Sequence, residues 1–87
     1  MPLSDTFDET RMLNLLIQGS EPAFAQLFDR HHQKVYNTAL GFLKSAAWAE
    51  EIVQDVFMKV WLKRAEFGAV KNLDAYLASM TRHLILD

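Results

Sequence analysis

The chain has no cysteine, only three glycines and two prolines in 87 residues, and no surplus of positive charge. Without thiols, neither a disulfide framework nor a thiolate metal site is available. No apolar run approaches the roughly 20 residues that cross a bilayer. The opening MPLSDTFDETRM lacks the basic and apolar segments of a secretory signal. A soluble protein working in the cytoplasm, with no membrane insertion, is expected. β-Branched residues are few and no alternating apolar run occurs, so no strand is expected. Catalytic motifs are missing as well: no HExxH, no Cys/His cluster and no Gly-rich phosphate loop. His31 and His32 are adjacent, hence about 100° apart on a helix, and cannot share one metal from that face. Glu50, Glu51 and Asp55 read as solvated charge rather than a cation site. We expect no enzyme, no cofactor and no metal.

What is present is helix-forming sequence with an uneven distribution of charge. The formal net charge is −2, which argues against a protein that grips duplex DNA unaided, because phosphate neutralisation supplies most non-specific affinity. Residues 1–29 carry −4, residues 30–64 carry +3 and residues 65–87 carry −1. An acidic surface for one partner and a modest basic strip for another are both compatible with that segregation.

The most informative stretch is AEEIVQDVFMKVWLKR, Ala49 to Arg64. At about 100° per residue, Ala49, Val53, Val56, Phe57, Val60 and Trp61 share one side, with Ile52 at its margin. That stripe is broad enough for the inner face of a packed helix. On the other side Glu51, Gln54 and Asp55 stand at i, i+3 and i+4, and Met58 and Leu62 continue the ridge. Carboxylates interleaved with large apolar side chains suit docking against a partner with cations and apolar grooves. The competing reading is ordinary surface, where isolated apolar residues are common.

Around this stretch the remaining elements follow in order. Residues 1–7 read as a lead-in. A short helix is expected from about Asp8 to Gln18, carrying Met12, Leu13, Leu15, Leu16 and Ile17 and ended by Gly19. Ser20 then caps a second helix, with Glu21 and Pro22 in its first turn. Phe24, Leu27, Phe28, His31, Val35, Tyr36, Ala39, Leu40, Phe42 and Leu43 keep helical spacing to its end near Leu43. Lys44 and Ser45 form a short break, Ser45 capping the third helix. Connections this short make successive helices antiparallel. Ala65 to Lys71 contains Gly68 and shows no periodicity, so it reads as a loop. Asn72 caps a last helix with Asp74 in its first turn. Leu73, Tyr76, Leu77, Met80 and Leu84 give its inner face. The result is an all-α bundle of three long helices plus a short N-terminal one. Its expected core is Phe24, Phe28, Val35, Tyr36, Val56, Phe57, Val60, Trp61 and Leu77.

Three blocks in order, EPAFAQLFDRHHQKVYNTALGFL, AEEIVQDVFMKVWLKR and NLDAYLASMTRHLILD, together resemble conserved region 2 of bacterial RNA polymerase sigma factors. The likeness is strongest to the extracytoplasmic-function group and its iron-transport-regulator-like branch, and it covers nearly the whole chain. It implies a non-catalytic initiation module that docks on the clamp coiled-coil of the largest polymerase subunit and recognises and melts the promoter −10 element. By position it assigns Glu51, Gln54 and Asp55 to the polymerase contact, with Met58 and Leu62 adjoining. The acids would pair with basic side chains and the amide would add directional hydrogen bonds.

The resemblance places DNA contacts on the loop after the third helix and on the last helix. Capture of an unstacked non-template base beside neutralised phosphates is the implied physics. The candidates are Lys63, Arg64, Lys71, Asn72, Tyr76, Ser79, Arg82 and His83. Asn72 reads equally as a helix cap and Tyr76 more as core than as a stacking platform, whereas Arg82 is the best phosphate contact, with a solvated Arg the competing reading. Tyr76 stands where the family often has Trp, and His83 where it commonly has Asn. The family continues into a linker and a helix-turn-helix domain that reads the −35 element. Residues 1–87 are accordingly expected to be the region 2 domain, with the −35-reading domain absent from this chain. An anti-sigma protein covering the polymerase-binding surface is a further implied partner. The alternative from a different class is a helical protein-interaction domain with no DNA role.

Overall fold

The computed structural model describes residues 8–87, and the expected lead-in, residues 1–7, lies outside them. Four α-helices and one 3₁₀ segment follow in order: α1 (Glu9–Ile17), α2 (Glu21–Leu43), α3 (Ala46–Leu62), the 3₁₀ segment (Arg64–Ala69) and α4 (Leu73–Leu86). No strand occurs among the described residues, so the fold is all-α as expected.

Each helix starts where a short polar side chain can satisfy a free backbone N–H. Asp8 Oδ1 accepts from the Arg11 N–H at 3.0 Å, and Ser20 Oγ accepts from Ala23 at 3.1 Å. Ser45 Oγ accepts from Trp48 at 3.3 Å, and Asn72 Oδ1 accepts from Ala75 at 3.0 Å. The ends are equally local in origin. Gly19 takes φ 92°, the left-handed conformation that glycine adopts without a Cβ penalty. There its N–H reaches the Leu16 carbonyl at 2.8 Å while the Ser20 N–H reaches that of Leu15 at 3.0 Å. This paired closure satisfies carbonyls the helix end leaves free. Helix α2 ends differently, with Lys44 itself left-handed at φ 56°.

The two-residue connection Lys44–Ser45 folds α3 back along α2. Antiparallel alignment shows in the ring pairs: Phe24 near the start of α2 meets Trp61 near the end of α3, centroids 5.3 Å apart, and Phe28 meets Phe57 at 4.9 Å. Both contacts are edge-to-face, each adding about 0.5–1.5 kcal/mol to the area buried. Helix α4 packs against both α2 and α3, and α1 packs against α2 and the 3₁₀ segment.

Three expectations about packing need correction. Of the nine expected core residues, Val35, Val56, Phe57, Val60 and Leu77 are buried, but Phe24, Phe28, Tyr36 and Trp61 are only half-buried. The seam between α2 and α3 is lined by rings too large to be closed over by two helices. Phe42, expected on the inner face of α2, is exposed at the hairpin tip. The stretch expected as a loop is mostly a 3₁₀ segment, and its Phe67 is 1 % exposed. Phe67 enters the core with Met12, Leu13, Leu16, Val56, Val60 and Leu73. A single large apolar side chain in a six-residue segment carries no periodicity by which to find it. Thr81 was overlooked for a related reason. Fully buried, its Oγ1 donates to the Leu77 carbonyl at 2.7 Å, so the hydroxyl enters the core already satisfied.

Candidate functional site

Helix α3 divides its circumference three ways. Ala49, Val53, Val56, Phe57 and Val60 are buried. Turned outward are Glu51, Gln54, Asp55, Met58 and Leu62, all exposed, the last two at 60 % and 70 %. Toward α4, one helical turn apart, lie Lys59 and Lys63, also exposed.

The outward ridge is chemically unspent. Among the described residues none of its five members enters a hydrogen bond or ion pair with the rest of the fold. Two exposed apolar side chains, Met58 and Leu62, stand beside two carboxylates and an amide. Beside the ridge, toward α2, the half-buried rings open a concavity lined by Glu21, Phe24, Phe28, Gln54, Phe57, Met58 and Trp61. A second concavity, with Phe28, His32, Tyr36, Glu50 and Val53, continues along the same seam and also includes Gln54. His32 is fixed there, its ring stacked on Phe28 at 4.7 Å and its Nδ1 2.8 Å from the Phe28 carbonyl oxygen. An apolar seam edged by Glu21, Glu50 and Gln54 was not foreseen. Half-burial of Phe24, Phe28 and Trp61 depends on how far α2 and α3 stand apart, which helical spacing does not report.

The eight residues proposed for DNA divide into two groups. Lys63, Tyr76, Ser79 and His83 converge on one concavity between α3 and α4, completed by Lys59 and Met80. Lys59 was not singled out from sequence, although its i, i+4 relation to Lys63 was the available signal. Arg64, Lys71, Asn72 and Arg82 lie elsewhere. Arg64 is turned inward: its Nη1 donates to the Trp61 carbonyl at 2.8 Å, and its guanidinium carbon lies 4.2 Å from the Trp61 ring centroid. Asn72 spends its side-chain oxygen on the α4 cap, whereas Lys71 and Arg82 are exposed.

Tyr76 sits at the junction of site and core. Half-buried, it meets Phe67 edge-to-face with centroids 5.0 Å apart. Burial raises its phenol above the ordinary value of 10.0, and the neighbouring Glu66 carboxylate raises it further. Both causes disfavour the phenolate. Tyr76 therefore remains a neutral ring presented to the concavity from one side.

No cluster of His, Asp or Glu among the described residues has the arrangement of a metal site. None of the described helices is long and apolar enough to cross a membrane.

The Sigma-70 region 2 family matches residues 27–87, well over half of the chain. The ECF RNA polymerase sigma factor SigK of Mycobacterium ulcerans (strain Agy99) is 27% identical over 81 residues, covering 92% of this chain and 43% of that protein. Its namesake in Mycobacterium tuberculosis (strain ATCC 25618 / H37Rv) is 26% identical over 81 residues, with the same coverage of each chain. SigK of Mycobacterium sp. (strain KMS) is 32% identical over 56 residues, covering 64% of this chain and 29% of that protein. The chain thus spans less than half the length of these curated relatives. No solved structure matches it. With an all-helical bundle and a family match across α2, α3 and α4, the chain belongs to the sigma-70 region 2 family.

Proposed function

We propose that this domain couples RNA polymerase to promoter DNA through two faces of α3. The ridge of Glu51, Gln54, Asp55, Met58 and Leu62 docks on the clamp coiled-coil of the largest polymerase subunit. The concavity of Lys59, Lys63, Tyr76, Ser79 and His83 engages the non-template strand of the −10 element and helps to hold it melted. The domain acts in the cytoplasm, without catalytic chemistry, as a region 2 module. An anti-sigma protein would act by covering the ridge.

The observation that carries this reading is the unspent state of the ridge. Two carboxylates and an amide held by a helix, with no partner among the described residues, lose no bond to those residues when a cationic surface takes them up. Met58 and Leu62 beside them supply the apolar area that electrostatic pairing alone lacks. On the other face, cations 59 and 63 suit phosphate, and Tyr76 offers a flat neutral ring for an unstacked base. Two lysines are too few to hold duplex DNA alone, consistent with engagement only once the polymerase is bound.

The decisive experiment is charge reversal, Glu51→Lys with Asp55→Lys, measured as binding to core polymerase and to an isolated clamp coiled-coil. At least a tenfold loss is expected with unchanged circular dichroism, and undiminished binding by the folded double variant sinks the docking assignment. For the DNA face, Lys59→Ala with Lys63→Ala should weaken binding of −10-like single strands in the presence of polymerase. Internal use of Arg64 and Asn72 favours one rival, a helical interaction domain with no DNA role. That rival expects −10-like and scrambled strands to bind alike.

A further inference from the structure

His31 is buried at 8 % exposure on α2, yet it faces two carboxylates from two other helices. Its Nδ1 lies 3.2 Å from Asp74 Oδ1, in the first turn of α4. Its Nε2 lies 3.7 Å from Glu9 Oε2, in the first turn of α1, and is a buried nitrogen with no hydrogen-bond partner. Lys34, one turn along α2, holds the other Asp74 oxygen at 3.2 Å. The rest of the lining toward α4, Val35, Thr38, Leu77, Ala78 and Thr81, carries no titratable group. Among the described residues, the charged groups facing the imidazole are therefore Glu9 from α1, Asp74 from α4 and Lys34 from its own helix.

We propose that His31 is a proton-sensitive clasp that fastens α1 to the α2–α4 pair. The argument follows from the chemistry of the ring. An imidazolium carries an N–H on both nitrogens, whereas neutral imidazole carries one and presents a lone pair on the other. Protonated, His31 offers a donor to each carboxylate and joins three helices. Neutral, it keeps only one arm. The closer carboxylate, already oriented by Lys34, keeps the proton on Nδ1. The lone pair of Nε2 is then left against the Glu9 carboxylate, in a buried position where an unmet acceptor beside an anion is unfavourable. Deprotonation thus releases α1 selectively, while the link to α4 persists through Nδ1 and Lys34.

Histidine as a residue type changes charge between about pH 5 and 8; the clasp closes on gaining the proton and opens on losing it. Helix α1 is suited to being the mobile part. It is nine residues long, too short to be stable in isolation, and depends on Met12, Leu13 and Leu16 remaining packed against α2 and the 3₁₀ segment. This inference does not rest on the proposed polymerase or promoter contacts.

Amide hydrogen exchange on the 87-residue chain, corrected for intrinsic chemistry, tests it. Between pH 5.5 and 8 the protection of Met12, Leu13 and Leu16 should fall roughly threefold to fivefold relative to Val56 and Val60, the ratio one partly buried ion pair sustains. Glu9→Gln removes the anion from an exposed position and should abolish that pH dependence while His31 stays in place. His31→Gln should abolish it too, and if that variant unfolds Glu9→Gln still decides. Long-range nitrogen–proton spectra at pH 8 should show the proton on Nδ1. Unchanged protection of α1 in the parent chain, an undiminished pH dependence in Glu9→Gln, or a proton on Nε2 at pH 8 each overturns the clasp.

Discussion

The two candidate faces of this domain differ in how much of their chemistry the fold has already used. On the ridge of α3 the polar side chains are idle: Glu51, Gln54 and Asp55 are exposed and have no partner among the described residues. Several of the residues assigned to DNA by the family resemblance are, by contrast, already engaged in the fold. Arg64 is bonded to the Trp61 carbonyl and lies over its ring, Asn72 caps α4, and Tyr76 leans on Phe67. A surface of idle groups can be altered without disturbing the fold. One whose members also hold helix ends and core contacts cannot. Binding and stability should therefore separate cleanly on the ridge and remain entangled at the other face.

The sharpest test of that contrast is Phe67→Ala. Truncating a fully buried ring should cost about 3–5 kcal/mol in denaturant unfolding. The Tyr76 ring should loosen with it, visible in its aromatic spectrum. Asn72→Ala comes next, with about 1 kcal/mol of stability lost through the vacated cap, even though Asn72 is exposed. Loss of less than a few tenths would place Asn72 with the idle groups instead. A smaller effect, confined to alkaline solution, should come from Tyr76. Its phenol titrates higher in the folded chain than in the unfolded one, by burial and then by Glu66. The stability linked to the neutral phenol is fully present below pH 10 and declines as pH rises through the folded value. Tyr76→Phe should remove this alkaline component, detectable by unfolding at pH 9 to 12. The smallest change is expected on the ridge, where Gln54→Ala and the Glu51→Lys, Asp55→Lys pair should each leave stability within about 0.5 kcal/mol. A larger loss there would erase the distinction between the faces.

Much of the architecture was legible because its causes are local. Ser20, Ser45 and Asn72 cap helices by bonding backbone three residues ahead, a relation visible in any short window of sequence. The alternation of α3 between Val53, Val56, Phe57 and Val60 on one side and Glu51, Gln54 and Asp55 on the other is likewise a matter of helical period. Burial of the four and exposure of the three follow that period. The role of the ridge came from family resemblance, and its exposure leaves that role to the binding experiment.

What escaped was contact between distant parts of the chain. Phe67 reaches the core because α1 and α3 leave room for it. Lys59 joins His83 and Ser79 only when α3 and α4 are brought side by side. His31 meets Glu9 and Asp74 on the same terms, across three separate helices.

Sequence alone determined the all-helical class, the helix starts and the division of α3 into inner and outer faces, since capping and 3.6-residue periodicity act within a few residues. Tertiary structure decided which rings stay half-open between α2 and α3, which cations share a concavity and which histidine sits between carboxylates. Those outcomes depend on the spacing and rotation of whole helices, set by the packing of all their side chains together.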